Sequence, residues 1–225
     1  MSGPFTSWAS SSDPSASAGR IQAPGRVIWI NGAFGAGRTQ TAFELRRRLA
    51  DAHVADAELL GFALQRTLPP AARADFQDLA PWRPAVVDVL EHAETAHHGP
   101  VLVPMTIVRD DYFDEIVGGL RSGGVDVRHD ALVASPQTLR RRLSTRIAFV
   151  RSGLRRETWA VRQIPRCVTA LARERYATHV HTDERTTDEV VEWIAADAGL
   201  TLGAPRLPPW RYQLRRLRVG IDHVR

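Results

Sequence analysis

A glycine-rich loop follows a short apolar run near residue 30 and has the spacing of a phosphate-binding motif, G-x-x-x-x-G-[K]-T. Such a loop needs small residues because successive backbone N–H groups must close around a phosphate, and the N-terminus of the following helix adds positive potential. The order of apolar run, loop and helical pattern favours this interpretation over a glycine-rich turn that only caps the helix. We therefore predict that the phosphates of a nucleotide bind to Gly32, Ala33, Phe34, Gly35, Ala36, Gly37, Arg38, Thr39 and Gln40.

Two residues of this loop define its chemistry. Thr39 stands where a hydroxyl ligates a nucleotide-bound Mg²⁺. Arg38 occupies the place of the usual lysine, which reaches the β- and γ-phosphates as a compact charge, whereas a guanidinium is bulkier and planar. Two alternatives are open: arginine replaces lysine with phosphoryl transfer retained, or the loop binds nucleotide while transfer is slowed or lost.

The alternation of apolar runs and helical patterns predicts the elements that position this loop. Helical patterns cover 39–50, 62–97, 111–121, 136–150, 159–173 and 187–198. Strands are predicted at 27–30, 53–56, 101–105, 125–134 and 178–182. Because strands joined by long helical crossovers pair in parallel, we predict an α/β fold with a doubly wound, mainly parallel five-stranded sheet.

Composition narrows the class of protein. All thirty basic residues are arginine, so the net charge of +5 reflects a lysine-free composition, and no helix-turn-helix, zinc-finger or RNP-like pattern accompanies it. We therefore predict no nucleic-acid partner. The single cysteine, Cys167, excludes an internal disulfide and a multi-cysteine metal site. With no apolar stretch long enough to span a membrane and no secretory signal, the expected location is the cytoplasm.

The chain divides into three predicted parts. Residues 1–25 hold seven serines and three prolines and are typical of a flexible, disordered leader. Residues 26–203 form the predicted domain, and 204–225 form a basic C-terminal segment.

Several segments resemble the tunicamycin-resistance ATP-binding protein family. They lie in order from about Arg26 to Ala198: IWINGAFG at 28–35, TQTAFEL at 39–45, GFAL at 61–64, DFQ at 75–77, WR at 82–83, VPMTIV at 103–108, WA at 159–160, QI at 163–164 and RC at 166–167. The resemblance implies an intracellular P-loop protein of kinase-like fold that binds ATP, recognises a nucleoside antibiotic and confers resistance to it. The departures are Arg38, a longer segment between Arg146 and Trp159, and the leader.

Carboxylates after the second predicted strand are candidates for the acceptor side. In small-molecule kinases of this architecture the acceptor lies across the strand C-termini from the phosphate loop, where a carboxylate orients the attacking hydroxyl. Asp56 ends that strand, Glu58 follows it, and the family has an acidic residue at the position of Asp56. No carboxylate ends the third strand, so Asp56 is also a candidate to bind Mg²⁺ through a bridging water molecule. The alternative is that Asp56 caps the next helix.

Two arginines mark the start of a predicted helical lid at about 147–158. Arg142 and Arg146 lie four apart on one helical face, in an L-x-x-R-x-x-x-R pattern found where a kinase lid begins. Such arginines neutralise charge that develops on a transferred phosphate. The alternative is that both belong to a solvated arginine face.

Other residues have weaker signals. His179 and His181 share one face of a strand but lack an evident third metal ligand, and Cys167 is expected to be packed rather than reactive. Three aromatic residues could cover the acceptor side of the site or belong to the core. They are Phe62, Phe76 and Trp82.

From Trp210 onward the chain has the pattern of a basic amphipathic helix. Its apolar positions are Trp210, Leu214, Leu217, Ile221 and Val224. This helix could contact an anionic membrane as a peripheral protein, fold back on the domain, or pair with a second copy.

Together these patterns predict a transferase that moves the γ-phosphoryl group of ATP, with Mg²⁺, to a hydroxyl of a tunicamycin-like nucleoside antibiotic. The predicted catalytic residues are Asp56, Arg38, Arg142 and Arg146, and the predicted metal-binding residues are Thr39 and Asp56. The alternative is a nucleotide-dependent protein that sequesters the drug without catalysis.

Overall fold

The computed structural model describes residues 26–147 and 154–223, and for 146, 147, 154–158, 216–218 and 220–223 it describes the backbone alone. The predicted leader, residues 148–153 of the predicted lid and Val224 lie outside the described residues, as does the side chain of Arg146.

Five strands form one sheet in the order β2-β3-β1-β4-β5, and every neighbouring pair is parallel. The strands are β1 (Arg26–Gly32), β2 (His53–Val54), β3 (Val101–Val103), β4 (Asp126–Val133) and β5 (His179–His181). The predicted α/β fold with its doubly wound five-stranded sheet is confirmed. Because helices cover both faces, β3 is buried along its whole length and β1 is buried from Val27 to Gly32, without an alternation of buried and exposed residues.

Helices connect the strands and pack on the sheet. The longer ones are α1 (Arg38–Arg48), α2 (Ala57–Thr67), α3 (Trp82–Ala96), α6 (Pro136–Ile147), α7 (Leu154–Leu171), α8 (Thr187–Asp197) and α9 (Pro209–His223). Between β3 and β4, the short helices α4 (Asp110–Phe113) and α5 (Gly119–Ser122) flank a π-helical turn (Asp114–Gly118).

The predicted boundaries differ from the observed ones where proline or a cap intervenes. Residues 62–97 are not one helical run, because Pro69 and Pro70 end α2 and lead into two 3₁₀ turns before α3. The third strand stops at Val103 because Pro104 has no N–H for the sheet ladder. The second strand stops at Val54, two residues before the cap of α2.

The central position of β1 determines where a ligand site forms. Strand β1 lies between β3 and β4, so the strand order runs outward in opposite directions on its two sides, to β3 and β2 on one side and to β4 and β5 on the other. In open α/β sheets a crevice opens beyond the carboxyl ends of the strands at such a switch point. The glycine-rich loop leaves β1 at this edge.

The C-terminal helix α9 folds back on the domain. The Tyr212 hydroxyl donates to the Thr187 hydroxyl at 2.6 Å, and Arg215 donates to the Phe43 carbonyl at 3.2 Å. Val219 is buried. Of the alternatives left open by the sequence, contact with the domain is therefore present.

This packing does not use the start of the apolar stripe predicted for α9. Trp210 and Leu214 are each 61% exposed, and the Arg211 guanidinium lies 5.0 Å from the Trp210 ring centroid. The helix thus turns Tyr212, Arg215 and Val219 to the domain and leaves an apolar pair to solvent.

Arginines of α1 hold the segment that leads to α9. Arg48 donates to the Ala204 carbonyl at 3.1 Å and forms ion pairs with Asp188 and Glu192 of α8. The carboxylate of Glu44, 2% exposed, pairs with Arg47 and lies 3.8 Å from Arg215. The C-terminal segment from Ala204 to Arg215 is therefore held against α1, the helix that follows the glycine-rich loop.

Within the described ranges, 26–147 and 154–223, we find no helix with the length and apolar character needed to cross a membrane.

Candidate functional site

Left-handed glycines shape the loop between β1 and α1. Gly35 has φ 87° and Gly37 has φ 102°, conformations that are costly for residues with a Cβ. Gly35 also approaches α6 closely, because a Cβ placed there would lie 3.0 Å from the Leu139 carbonyl oxygen. These residues bring the loop around the start of α1 without intruding side chains.

Helix α1 begins at Arg38 with Gly37 as its N-cap, and no described side chain forms a capping hydrogen bond there. The first N–H groups of a helix have no partner inside the helix, so they are available to an anion. A Cβ at Gly37 would meet no described atom within 4 Å, so space is open in front of this terminus. The geometry suits a polyphosphate.

Arg38 reaches across the edge of the sheet. Its guanidinium donates to the Pro104 carbonyl at 3.2 Å and lies 3.9 Å from Oε1 of Glu58 on α2. Its Cζ lies 5.6 Å from the centroid of the Phe34 ring, and the residue is 8% exposed. In this structure Arg38 thus links the glycine-rich loop to the segment after β3 and to α2.

Asp56 and Glu58 begin α2 at the same edge. The Asp56 carboxylate accepts the Glu58 N–H at 3.0 Å, so Asp56 is the N-cap of this helix, the alternative weighed for it from the sequence. The Glu58 carboxylate faces Arg38. The two acidic residues therefore lie on the side of the loop where an acceptor is expected. The helix-capping contact of Asp56 does not test its predicted catalytic role, which stays a proposal.

Thr39 and Gln40, in the first turn of α1, are half-buried. The residues after β3 are Pro104, Met105 and Thr106, so no carboxylate stands at that strand end, as the sequence indicated. The oxygen donors that suit Mg²⁺ at this edge are the Thr39 hydroxyl and the carboxylates at the start of α2.

Arg142 lies on α6 and contacts the end of β5. Its guanidinium donates to the Thr182 hydroxyl at 3.1 Å and also to the Thr182 carbonyl. The same helix supports the loop, since Leu139 and Leu143 are buried beneath Gly35. Arg142 is therefore anchored at the edge where the loop lies, while the side chain of Arg146 lies outside the described residues.

Aromatic contacts differ between the two sides of the site. Phe34 at the loop packs edge-on against Trp159 of α7, with ring centroids 5.1 Å apart. On the acceptor side, Phe76 contacts both Phe62 and Trp82, at 5.6 and 5.2 Å. Trp82 is fully buried and belongs to the core, whereas Phe62 and Phe76 are half-buried.

A small open pocket borders Phe62. Its volume is about 170 Å³, and Gln65, Arg66 and Arg73 complete its lining. Phe62 therefore borders this pocket while its ring packs against Phe76.

The weaker candidates of the sequence, His179, His181 and Cys167, lie in the described part of the chain. No group of three potential metal-ligating side chains occurs there, so His179 and His181 do not belong to such a cluster. Cys167 is buried as expected, and burial raises the pKa of its thiol, which disfavours the reactive thiolate.

Asn31, a residue with no role predicted from its sequence pattern, lies at the centre of this edge. The residue is fully buried, and its amide bonds the backbone of Gly32 and Ile107 and the ring of His129. The available signal was a polar residue at the end of an otherwise apolar strand.

Comparison with solved structures places this geometry in a family. The Deinococcus radiodurans tunicamycin resistance protein is 33% identical to the chain, with a TM-score of 0.66, over 80% of this chain and 99% of that one. The chain belongs to the tunicamycin resistance protein family. Neither a protein-family model nor a curated protein sequence matches it.

More distant structures share the fold. A sugar kinase from Janibacter sp. HTCC2649 is 17% identical with a TM-score of 0.55, over 79% of this chain and 96% of that one. A gluconokinase from Sinorhizobium meliloti 1021 is also 17% identical with a TM-score of 0.53, over 78% and 92% of the two chains. This tunicamycin resistance family member therefore has the kinase-like P-loop fold.

Proposed function

We propose that this family member binds Mg·ATP at the loop 32–40 and transfers the γ-phosphoryl group to a hydroxyl of a tunicamycin-like nucleoside antibiotic. The observation that carries the proposal is the position of Arg38 between the glycine-rich loop and Glu58. A cation there lies between the groups that hold a nucleotide and the carboxylates that would face an acceptor. Similarity to the Deinococcus radiodurans tunicamycin resistance protein supports the class of acceptor.

The loop would hold the nucleotide. Backbone N–H groups at the start of α1 would donate hydrogen bonds to the phosphates, and Arg38 adds a charge-assisted contact. Thr39 supplies a hydroxyl ligand to Mg²⁺, and Asp56 serves the metal through water. Bound Mg²⁺ would neutralise charge on the β- and γ-phosphates.

Asp56 would act on the acceptor. Its carboxylate orients the drug hydroxyl toward the γ-phosphorus and takes the hydroxyl proton late in the transfer. A new oxygen–phosphorus bond forms as the bond between the γ-phosphorus and the bridging oxygen breaks, and ADP leaves with that oxygen. Arg142 and Arg146 would stabilise charge on the phosphoryl group from the side of α6.

A second candidate is sequestration of the drug without transfer. Arginine in place of lysine at position 38 favours it, because a guanidinium can hold a nucleotide without following the charge that develops on a transferred phosphoryl group. So does the lack of a carboxylate in the described residues directly after β3.

Mass spectrometry separates the two candidates. Tunicamycin is incubated with the full chain and Mg·ATP, and a matched incubation contains the non-hydrolysable analogue AMP-PNP. If the chain transfers the phosphoryl group, the drug gains the mass of one phosphoryl group in the incubation with Mg·ATP and gains no mass in the incubation with AMP-PNP. An unchanged drug mass together with measurable drug binding identifies the sequestering protein.

We further propose a cytoplasmic location and a peripheral membrane contact through α9. The exposed pair Trp210 and Leu214 beside Arg211 supports this contact, because an apolar pair flanked by arginine is typical of a helix that lies on an anionic bilayer. An acylated drug would concentrate at the same surface.

A further inference from the structure

Asn31, near the end of β1, uses its whole amide in four polar contacts. Its Oδ1 accepts the N–H groups of Gly32 at 2.8 Å and Ile107 at 3.1 Å. Its Nδ2 donates to the Ile107 carbonyl at 2.8 Å and lies 3.1 Å from Nε2 of His129. Since a primary amide offers two acceptor lone pairs and two N–H donors, this side chain is fully satisfied.

The amide takes the place of a neighbouring strand. Pairing of β1 with β3 ends at Trp29 and Val103, after which the chain departs at Pro104. It returns at Ile107, whose N–H and carbonyl both bond the Asn31 amide as they would bond a strand backbone. Asn31 therefore closes the segment 104–107, which we call the bridging loop.

The bridging loop contacts both sides of the site. The Thr106 hydroxyl donates to the Gly32 carbonyl at 2.7 Å, and Arg38 donates to the Pro104 carbonyl. On the acceptor side, Nε2 of Gln77 donates to the Thr106 carbonyl at 2.9 Å. A shift of this loop would therefore move groups on the nucleotide side and on the acceptor side together.

His129 supports the amide of Asn31 from β4. The ring is 4% exposed, and its Nε2 must accept because the facing Asn31 nitrogen is a donor. The proton then lies on Nδ1, for which no hydrogen-bond partner exists in the described part of the chain, and the Phe113 ring stands edge-on at 5.0 Å. A neutral imidazole in one tautomer thus fixes the second N–H of Asn31.

We propose that Asn31 is a positioning residue that couples nucleotide binding to drug binding through the bridging loop, with His129 as its support. The proposal rests on the proposed function in that it takes both ligands to bind at this edge. It goes further because it assigns the coupling to a side chain that is proposed to bind neither the nucleotide nor the drug.

The test measures AMP-PNP affinity with Mg²⁺, in the absence and presence of tunicamycin, for the full chain and four variants. Asn31→Asp keeps both acceptor bonds but loses both donor bonds. His129→Phe removes only the acceptor at Nε2, and His129→Gln retains an acceptor. Val191→Ala, in the buried face of α8, is the control for a general loss of stability.

We expect the affinity of the wild type for AMP-PNP to change when tunicamycin binds. Asn31→Asp should lower that affinity roughly tenfold and bring the ratio of affinities with and without drug close to one. His129→Phe should produce a smaller change in the same direction, and His129→Gln should restore values near the wild type. Val191→Ala should lower the melting temperature without changing the ratio.

Two results would overturn the proposal. One is a wild type that binds both ligands with no effect of either on the other, and the second is an Asn31→Asp variant with the wild-type ratio. A wild type that binds neither ligand would instead sink the proposed function.

Hydrogen exchange of the ligand-free chain decides the positioning role in that case. Asn31→Asp must raise amide exchange in the loop 32–40 and in the bridging loop together, while Val191→Ala must not. A rise in only one of these segments, or in neither, refutes the role of Asn31.

Discussion

The Nη1 atom of Arg38 lies 3.9 Å from Oε1 of Glu58, so the cation of the phosphate loop is paired with the first turn of α2. The same guanidinium donates to the Pro104 carbonyl. Both contacts are made by Nη1 of the planar guanidinium, whereas a lysine ammonium is a compact point charge on a flexible stem. Replacement of lysine by arginine therefore changes which parts of the site the loop touches.

The Arg38 variants separate transfer from sequestration. If Arg38 reaches the phosphates during the reaction, Arg38→Ala should lose a contact worth roughly 1.5–3 kcal/mol, and Arg38→Lys should be near neutral. If the site only binds, Arg38→Lys should keep nucleotide affinity and raise ATP hydrolysis or transfer. Turnover and nucleotide affinity are measured with and without tunicamycin, and a silent wild type made active by lysine would refute transfer by this chain.

Substitution of Thr39 tests the metal contact. Thr39→Ala should weaken binding of Mg·ATP more than binding of metal-free ATP, because only the ligand to Mg²⁺ is removed. Thr39→Ser keeps the hydroxyl and should resemble the wild type. Calorimetry with and without Mg²⁺ gives both affinities, and equal loss of both in Thr39→Ala would show that Thr39 has a structural role only.

Asp56 can be tested without loss of its helix cap. Asparagine caps helices as well as aspartate does, so Asp56→Asn should leave the melting temperature and nucleotide affinity nearly unchanged. Turnover should fall at least about tenfold if the carboxylate orients the acceptor and takes its proton. Asp56→Ala, which also removes the cap, should cost about 1 kcal/mol of stability. An unchanged rate in Asp56→Asn would limit Asp56 to capping.

Burial of His129 predicts a pH dependence of stability. Desolvation lowers the pKa of this imidazole to about 3, with further lowering from Arg121 and His179 and partial opposition from backbone groups. Tyr176 and Asn31 are the other polar groups around the ring. Between the unfolded pKa near 6.5 and this value, the unfolded chain binds a proton that the folded chain does not.

The free energy of unfolding should therefore fall as the pH is lowered from 6.5, by at most about 1.4 kcal/mol per pH unit for this one proton. His129→Gln should show a shallower fall. Urea unfolding of both proteins between pH 7 and 5 measures the two slopes, and identical slopes would contradict a neutral buried His129.

Point variants of α9 test the membrane contact. Trp210→Ser and Leu214→Ser should reduce co-sedimentation of the chain with phosphatidylserine vesicles, since each removes exposed apolar surface. Val89→Ser, at a position 47% exposed on α3, is the control. The membrane proposal fails if the wild type does not co-sediment with these vesicles.

The sequence was sufficient for the sheet because apolar runs and glycine positions are local signals. Each of the five strands lies within its predicted range or within two residues of it. The sequence predicts helical segments within 62–97, and the structure divides them into α2 and α3 at Pro69 and Pro70.

The contacts of the site were harder to predict because they join distant residues. Arg38 and Pro104, or Asn31 and Ile107, meet only after β1 and β3 pair. A local pattern shows that Asn31 is polar within an apolar run, but not which backbone groups it satisfies. The same limit applies to α9, whose periodicity indicated a helix but not which face would meet the domain.

The attachment of the C-terminal segment to α1 has a consequence for protein engineering. A chain cut before Pro209 would lose Arg215, and with it the hydrogen bond to the Phe43 carbonyl and the cation beside the Glu44 carboxylate. The lost contacts would belong to α1, the helix whose first turn is part of the proposed nucleotide site. Tags and fusions are therefore better placed at the N-terminus, and shortened chains would report on the integrity of α1 as well as on the segment removed.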